Sequence, residues 1–112
     1  MPAGGVVAGG QISIGSPTDN SLTITQTSQR GAINWNTFNI GTGNTVQFVQ
    51  PNSSSITLNR VVGGVPSNIQ GALLANGQII IQNANGVLFS GGSVINVNSL
   101  LVTTKNVNVD QF

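Results

Sequence analysis

The residues able to do acid, base or ionic chemistry are few, because only five of the 112 side chains carry a charge. They are Arg30, Arg60, Lys105, Asp19 and Asp110. An acid and base pair would have to combine Asp19 with Asp110, which lie near opposite ends of the chain. Since His and Cys are absent, neither a His or Cys metal site nor a Ser-His-Asp or Cys-His catalytic group can form. The composition therefore predicts a non-enzymatic protein with no cofactor and no metal site.

The two arginines, Arg30 and Arg60, are the candidate surface-contact residues. On a nearly uncharged surface, a guanidinium could bind a carboxylate of a protein partner or of a sialylated glycan. The alternative is that both are solvated loop charges. A formal net charge of +1 gives no electrostatic attraction for nucleic acid or an anionic membrane. We therefore expect neither nucleic-acid binding nor membrane insertion.

The elements that must position these residues are predicted to be short β-strands. β-branched residues are abundant, helix formers are scarce, and alternating runs are separated by Gly, Asn, Pro and Ser. The predicted strands are Gln11–Ile14, Ser21–Thr25, Thr45–Phe48, Ser55–Leu58, Gln78–Gln82, Ser93–Val97 and Asn106–Val109. The sequence therefore predicts an all-β chain.

Three segments align at a constant spacing of about 23 residues, which is typical of a solenoid. The first column of like residues is Ile33, Ile56 and Ile79, and the second is Trp35, Leu58 and Ile81. A fourth segment follows at a slightly shorter spacing and adds Leu100 and Val102 to the two columns. Stacked coils bury together the side chains that one coil cannot, so both columns are predicted to form the core. The alternative is a β-sandwich of hairpins, for which the Asn-Gly pairs at 76–77 and 85–86 would be suitable turns.

The ordered motifs of the chain resemble the amino-terminal secretion domain of two-partner secretion exoproteins. This domain is the haemagglutination-activity domain of filamentous haemagglutinin-like adhesins. The resemblance covers the whole chain, and the segments that carry it are 6–10, 23–28, 33–41, 46–51, 58–63, 71–77 and 83–89. Ala84 stands where the family usually has proline and Val87 where it usually has isoleucine, but the Asn-x-Asn-Gly pattern of the turn is kept.

The resemblance implies a right-handed parallel β-helix, or β-solenoid, with rungs of about 21–23 residues. It implies a single domain over 1–112, with an amino-terminal cap and first strands in 1–26 and stacked rungs in 27–112. Because the family domain is about twice as long, the chain is expected to be its amino-terminal half. The family is exported through the periplasm of Gram-negative-type bacteria, where the periplasmic domains of an outer-membrane transporter recognise it. The exoprotein then crosses unfolded and folds outside the cell.

The same resemblance singles out two groups of residues as candidates for transporter recognition. The first group is Asn83, Asn85 and Gly86, and the second is Asn34 and Asn36. The alternative for the first group is a purely structural corner. Trp35, between the two asparagines of the second group, is expected in the core, with Asn59 or Gln82 as the partner of its indole N–H.

The expected function is that of a secreted recognition module of an adhesin-like exoprotein. The alternative is a short secreted solenoid whose copies stack end to end into an extracellular fibre, since no visible cap covers Val107 to Phe112 and no charge repulsion opposes stacking. A recognition module should continue well past Phe112 in its parent sequence, whereas a fibre subunit should stop there.

Overall fold

The computed structural model describes residues 1–105, which form twelve β-strands and contain no helix. The predicted strand at Asn106–Val109, Asp110, and the uncapped segment at Val107–Phe112 lie outside the described residues. The strands are β1 (Val6–Gly9), β2 (Ile12–Ile14), β3 (Ser21–Gln26), β4 (Arg30–Trp35), β5 (Thr45–Val49), β6 (Ile56–Val61), β7 (Ser67–Ile69), β8 (Ala72–Ala75), β9 (Gln78–Asn83), β10 (Val87–Phe89), β11 (Val94–Asn96) and β12 (Ser99–Thr103). The all-β prediction is confirmed.

The strands stack into a parallel β-solenoid of about four turns. The first sheet has the order β1-β4-β6-β9-β12, the second has the order β11-β8-β5-β3-β2, and the third pairs β10 with β7. Pairing from β4 to β6, β9 and β12 is parallel throughout. The Asn-Gly pairs at 76–77 and 85–86 connect strands of different sheets and not adjacent strands of a hairpin, which rules out the sandwich.

The amino-terminal end is built differently from the parallel rungs. Strand β1 pairs antiparallel with β4, and β2 pairs antiparallel with β3. Val7 lies opposite Ile33 and Gly9 lies opposite Ala32, so Ala8 is the extra residue of a β-bulge. Such bulges twist and interrupt an edge strand and so hinder pairing with a further strand.

The pairing register corrects the predicted columns of like residues. Ile33 pairs with Asn59, not Ile56, and Trp35 pairs with Val61, not Leu58. The step from β4 to β6 is therefore longer than the predicted rung, and a constant spacing along the first sheet is wrong. The step into β12 agrees with the prediction, since Leu100 pairs with Ile79 and Val102 with Ile81. Ile56 and Leu58 consequently lie on the opposite face from Ile79 and Ile81, but Leu58 is fully buried there, as a core residue should be.

The register of β6 differs from the prediction because polar residues, and not the predicted apolar ones, occupy part of the interior column of the first sheet. Thr57 and Asn59 are fully buried and stand in register with Ile79 and Ile81. The Thr57 hydroxyl donates to Gln26 Oε1 at 2.6 Å and accepts from Gln50 Nε2 at 3.1 Å. Because these partners satisfy the hydroxyl, its burial does not incur the cost of an unpaired polar group.

The apolar core lies between the three sheets and runs through all rungs. Its largest fully buried side chains include Trp35, Phe38, Phe48 and Leu73. Ile12 and Ile14 of β2 pack against this core at its amino-terminal end. Residues 1–105 offer no helix with the length and apolar character that a membrane crossing requires.

Candidate recognition corner

The predicted recognition residues gather at the corner where the chain leaves the first sheet. Trp35, Val61 and Asn83 are the last residues of β4, β6 and β9 and form one interior column. Asn36 and Asn85 follow this column two rungs apart, which is roughly 10 Å at the usual strand spacing. We call this region, residues 34–36, 60–65 and 83–88, the recognition corner.

Asn83 holds the corner together from inside. Its side chain is fully buried. Its amide nitrogen donates to the carbonyl of Val65 at 3.0 Å and to the hydroxyl of Ser67 at 2.9 Å. Its amide oxygen accepts the main-chain N–H of Asn85 at 2.9 Å. With these bonds made and no exposed surface, Asn83 can affect a partner only through the shape of the corner.

Asn85 and Gly86 form the outer part of the same turn. The main-chain N–H of Gly86 donates to the carbonyl of Asn83 at 2.9 Å, which closes a four-residue turn. Gly86 has a φ of 94°, a left-handed conformation that suits glycine. The turn therefore presents the exposed side chain of Asn85 to solvent.

Asn34 and Asn36 lie on the first rung of the corner with different surroundings. Asn34 Oδ1 accepts from Arg60 Nε at 2.9 Å, so this asparagine fixes the guanidinium of the next rung. Asn36 is exposed, while its main chain bonds to Ala3 and Gly63 at 3.0 and 3.1 Å. Asn36 thus resembles Asn85 in presenting an exposed amide above a fixed backbone.

Trp35 lies directly beneath these asparagines and is 1% exposed. Its indole N–H donates to Asn59 Oδ1 at 2.9 Å, which is one of the two partners that the sequence offered. Its ring meets Phe38 edge to face at 5.7 Å between centroids. This packing fixes the backbone on which Asn34 and Asn36 are displayed.

The two arginines are on the outer face of the first sheet but in different columns. Arg60 is in register with Asn34 and Gln82, whereas Arg30 is exposed at the start of β4 and in register with Ile56. Arg60 is half-buried and belongs to the recognition corner. A shared anion site for the two is therefore not formed, and a surface contact by either one stays a prediction.

Sequence reasoning missed the exposed apolar side chains beside the asparagines. Val62, Val65 and Leu88 are 63%, 49% and 60% exposed. A usable signal was the Val61-Val62 pair, because adjacent residues of a strand face opposite sides and one valine must point outward. No group of three or more potential metal ligands occurs within residues 1–105. The corner consequently presents amides, apolar surface and one guanidinium.

The chain is similar in sequence and in fold to proteins that are already known. A family model described as the TPS secretion domain matches residues 1–112. Two heme/hemopexin-binding proteins of Haemophilus influenzae, one from strain Rd, are 44% identical over 98 residues and 41% identical over 107 residues. These matches cover 88% and 96% of this chain but 11% and 12% of the relatives, so the chain spans only a small part of their length.

The crystal structure of the HMW1 secretion domain from Haemophilus influenzae is similar over nearly the whole chain. The TM-score is 0.92 at 30% sequence identity, and the match covers 99% of this chain and 29% of that one.

Proposed function

Because this chain belongs to the family of TPS secretion domains, we propose that it is the part of a longer exoprotein that an outer-membrane transporter recognises. The chain is a secretion module, and recognition by the periplasmic domains of the transporter is the proposed step. The supporting observation is the recognition corner, where Asn36 and Asn85 stand exposed on a backbone fixed by buried hydrogen bonds. Rigid display lowers the entropy cost of binding.

The proposal assigns different roles to the predicted residues. Asn36 and Asn85 contact the transporter, Val62 and Leu88 supply apolar contact area beside them, and Asn83 and Gly86 shape the turn. Asn34 acts through Arg60, whose guanidinium it holds at 2.9 Å. Because the corner holds neither an acid nor a histidine, the proposed role is binding without catalysis.

We also propose that the amino-terminal end starts folding once the chain has crossed the outer membrane. Strands β1 and β2 cover the first rung, and each later rung adds parallel strands to an existing edge. Folding by addition of neighbouring coils suits a chain that emerges in order. The route through the periplasm of a Gram-negative bacterium to the cell surface or medium is part of this proposal.

The heme and hemopexin binding named for two relatives is not proposed for this chain. Iron in heme is held by His, Cys, Met or Tyr side chains. Of these, the chain contains one Met and no His, Cys or Tyr. The matched segment is also a small part of those relatives, as the coverage of 11% and 12% shows.

The test measures binding of single variants to the isolated periplasmic domains of the transporter. Asn36→Ala and Asn85→Ala are each expected to weaken binding by about tenfold, because a lost interface hydrogen bond costs about 1.4 kcal/mol. Asn96→Ala is the matched control, since Asn96 is an exposed asparagine of the second sheet. Both variants must keep the thermal stability of the unsubstituted chain, so that the weaker binding is not a consequence of unfolding.

Two outcomes would contradict the proposal. One is wild-type binding by both Asn36→Ala and Asn85→Ala. The other is an equal loss in Asn96→Ala, which would place the contact elsewhere on the solenoid. Asn83→Ala is excluded from this comparison, because removing a buried side chain with three hydrogen bonds would unsettle the corner itself.

A second candidate function is end-to-end stacking into a fibre. The observation that favours it is the last described rung, where the inward-facing Phe89, Ile95 and Val102 are 36%, 36% and 38% exposed. Negative-stain microscopy with size-exclusion chromatography tests this candidate. Fibres that lengthen with concentration would support stacking, whereas a monodisperse monomer would eliminate it.

A further inference from the structure

The chain contains the tripeptide Ala-Asn-Gly twice, at 75–77 and 84–86, in two contrasting environments. Asparagine followed by glycine is chemically labile, because the glycine nitrogen can attack the side-chain amide without hindrance from a Cβ. Because the two copies share the same three residues, a difference in their reaction rates must come from their structural surroundings.

The first copy is held by hydrogen bonds to Gln50, although Asn76 itself is exposed. Asn76 Oδ1 accepts the main-chain N–H of Gln50 at 2.7 Å, and Asn76 Nδ2 donates to the Gln50 carbonyl at 2.7 Å. The N–H of Gly77 donates to Gln50 Oε1 at 2.9 Å. Neither the nucleophilic nitrogen nor the amide that it would attack can move without breaking these bonds.

The space around Gly77 is filled as well. A Cβ built on Gly77 would lie 2.8 Å from the carbonyl oxygen of Ser55 and 2.9 Å from the Gln50 side chain. Cyclisation turns a flat amide carbon into a tetrahedral one, which needs room beside the main chain. The close packing of Gly77 against Ser55 and Gln50 therefore hinders the movement of the main chain that brings the glycine nitrogen to the amide carbon.

The second copy differs in its packing. Asn85 is exposed, as Asn76 is, but a Cβ on Gly86 would meet nothing within 4 Å. The φ of 94° at Gly86 is a conformation that glycine adopts without steric cost. The one restraint on the nucleophile is the bond from the Gly86 N–H to the Asn83 carbonyl at 2.9 Å, which has to open first.

We propose that Asn85 is a site of spontaneous deamidation in the folded protein and that Asn76 is protected. The Gly86 nitrogen attacks Cγ of Asn85, so that an N–Cγ bond forms and the Cγ–Nδ2 bond breaks. The proton of the Gly86 amide leaves with Nδ2 as ammonia. Water then adds to either carbonyl of the five-membered ring and yields an aspartyl residue by one route and an isoaspartyl linkage by the other. No oxidant or reductant takes part.

The modification changes both the charge and the backbone of the recognition corner. A new carboxylate lowers the formal net charge from +1 to zero. The isoaspartyl form also inserts a methylene into the main chain at a turn that the 2.9 Å bond between Gly86 and Asn83 closes. The turn around Asn83 then cannot keep its present hydrogen bonds.

The test is peptide mapping by mass spectrometry of the native full chain during incubation at mildly alkaline pH. Asn85 is expected to convert at least about tenfold faster than Asn76, because the bonds that hold Asn76 add at least about 1.4 kcal/mol to the opening of that site. The same incubation in concentrated urea is the control, and there the two sites should convert at similar rates. Asn85→Gln should remove the main acidic product.

Three results would overturn the proposal. Equal conversion at both sites in the native chain would show that the environment does not decide the rate. A difference that persists in urea would assign it to sequence and not to structure. An acidic product that remains undiminished in Asn85→Gln would place the reaction at another residue.

Discussion

Within residues 1–105, the first and the last rungs of the solenoid cover the core to different extents. At the amino-terminal end, β1 and β2 run antiparallel to their neighbours, and Ile12 and Ile14 cover the core. At the other end of the described residues, β10, β11 and β12 are edge strands. Their inward-facing side chains Phe89 and Ile95 remain 36% exposed. In the described residues, the antiparallel strands β1 and β2 cover the first rung, whereas the last rung has no strand beyond it.

The largest expected difference between the ends concerns their aromatic residues. Trp35→Ala should lower the free energy of unfolding by about 3–5 kcal/mol, because it empties a fully packed site and leaves Asn59 without its donor. Phe89→Ala should cost only about 1–2 kcal/mol, since part of its ring already contacts solvent. Urea denaturation followed by far-ultraviolet circular dichroism measures both. Equal losses would remove the distinction between the ends.

A sharper comparison uses two residues of one column. Leu73 and Ile95 pair directly on neighbouring strands of the second sheet. Leu73→Ala should cost about 2–5 kcal/mol because the side chain is fully buried, and Ile95→Ala should cost less than half as much. The measurement is the urea midpoint at constant slope. An Ile95→Ala loss as large as that of Leu73→Ala would mean that the last described rung is covered in solution.

Glycine substitutions probe how closely each end is packed. A Cβ on Gly5 would lie 2.6 Å from the Trp35 ring and 2.9 Å from Ile14, so Gly5→Ala should destabilise by about 1–3 kcal/mol. A Cβ on Gly91 would meet nothing within 4 Å, so Gly91→Ala should change stability by no more than about 0.5–1 kcal/mol. Melting temperatures measured by calorimetry compare the stabilities of the two variants. A large loss in Gly91→Ala would show that its loop is packed.

The smallest expected effect concerns side-chain bonds between rungs. Arg60→Met removes the bond that joins β6 to Asn34 of β4 and should cost about 0.5–1.5 kcal/mol. Lys105→Met removes the same charge from an exposed position and should stay within about 0.5 kcal/mol. If the two variants melt alike, the bond adds nothing to the stability of the amino-terminal rungs.

The fold class could be predicted because it depends on features that are local in the sequence. Alternating β-branched runs and turn residues located six of the twelve strands, as for Ser21–Gln26 and Gln78–Asn83. Repeats at a nearly constant spacing indicated a solenoid, and the family resemblance indicated a secretion module. The solenoid and the secretion module could both be predicted because the repeats and the family motifs are visible along the sequence itself.

The register could not be predicted, because it depends on partners that are distant in the sequence. Placing isoleucine above isoleucine assumes an apolar interior, whereas Thr57 and Asn59 take interior places by bonding to Gln26, Gln50 and Trp35. Sequence reasoning did identify Asn59 as a partner for the indole and Leu58 as a buried residue, but it placed Leu58 in the column of Trp35 and Ile81. The buried state of Asn83 was open for the same reason, since its partners Val65 and Ser67 belong to another rung.

The buried Trp35 is an intrinsic fluorescence probe of the amino-terminal rungs. The chain has one tryptophan, and it lies between the first two rungs, bonded to Asn59 and touching Phe38. Its fluorescence therefore monitors the docking of these rungs, whereas circular dichroism averages over every strand. If the emission changes later in unfolding than the dichroism does, the exposed rungs fray while the capped rungs persist. Coincident curves would show that all turns melt as one cooperative unit.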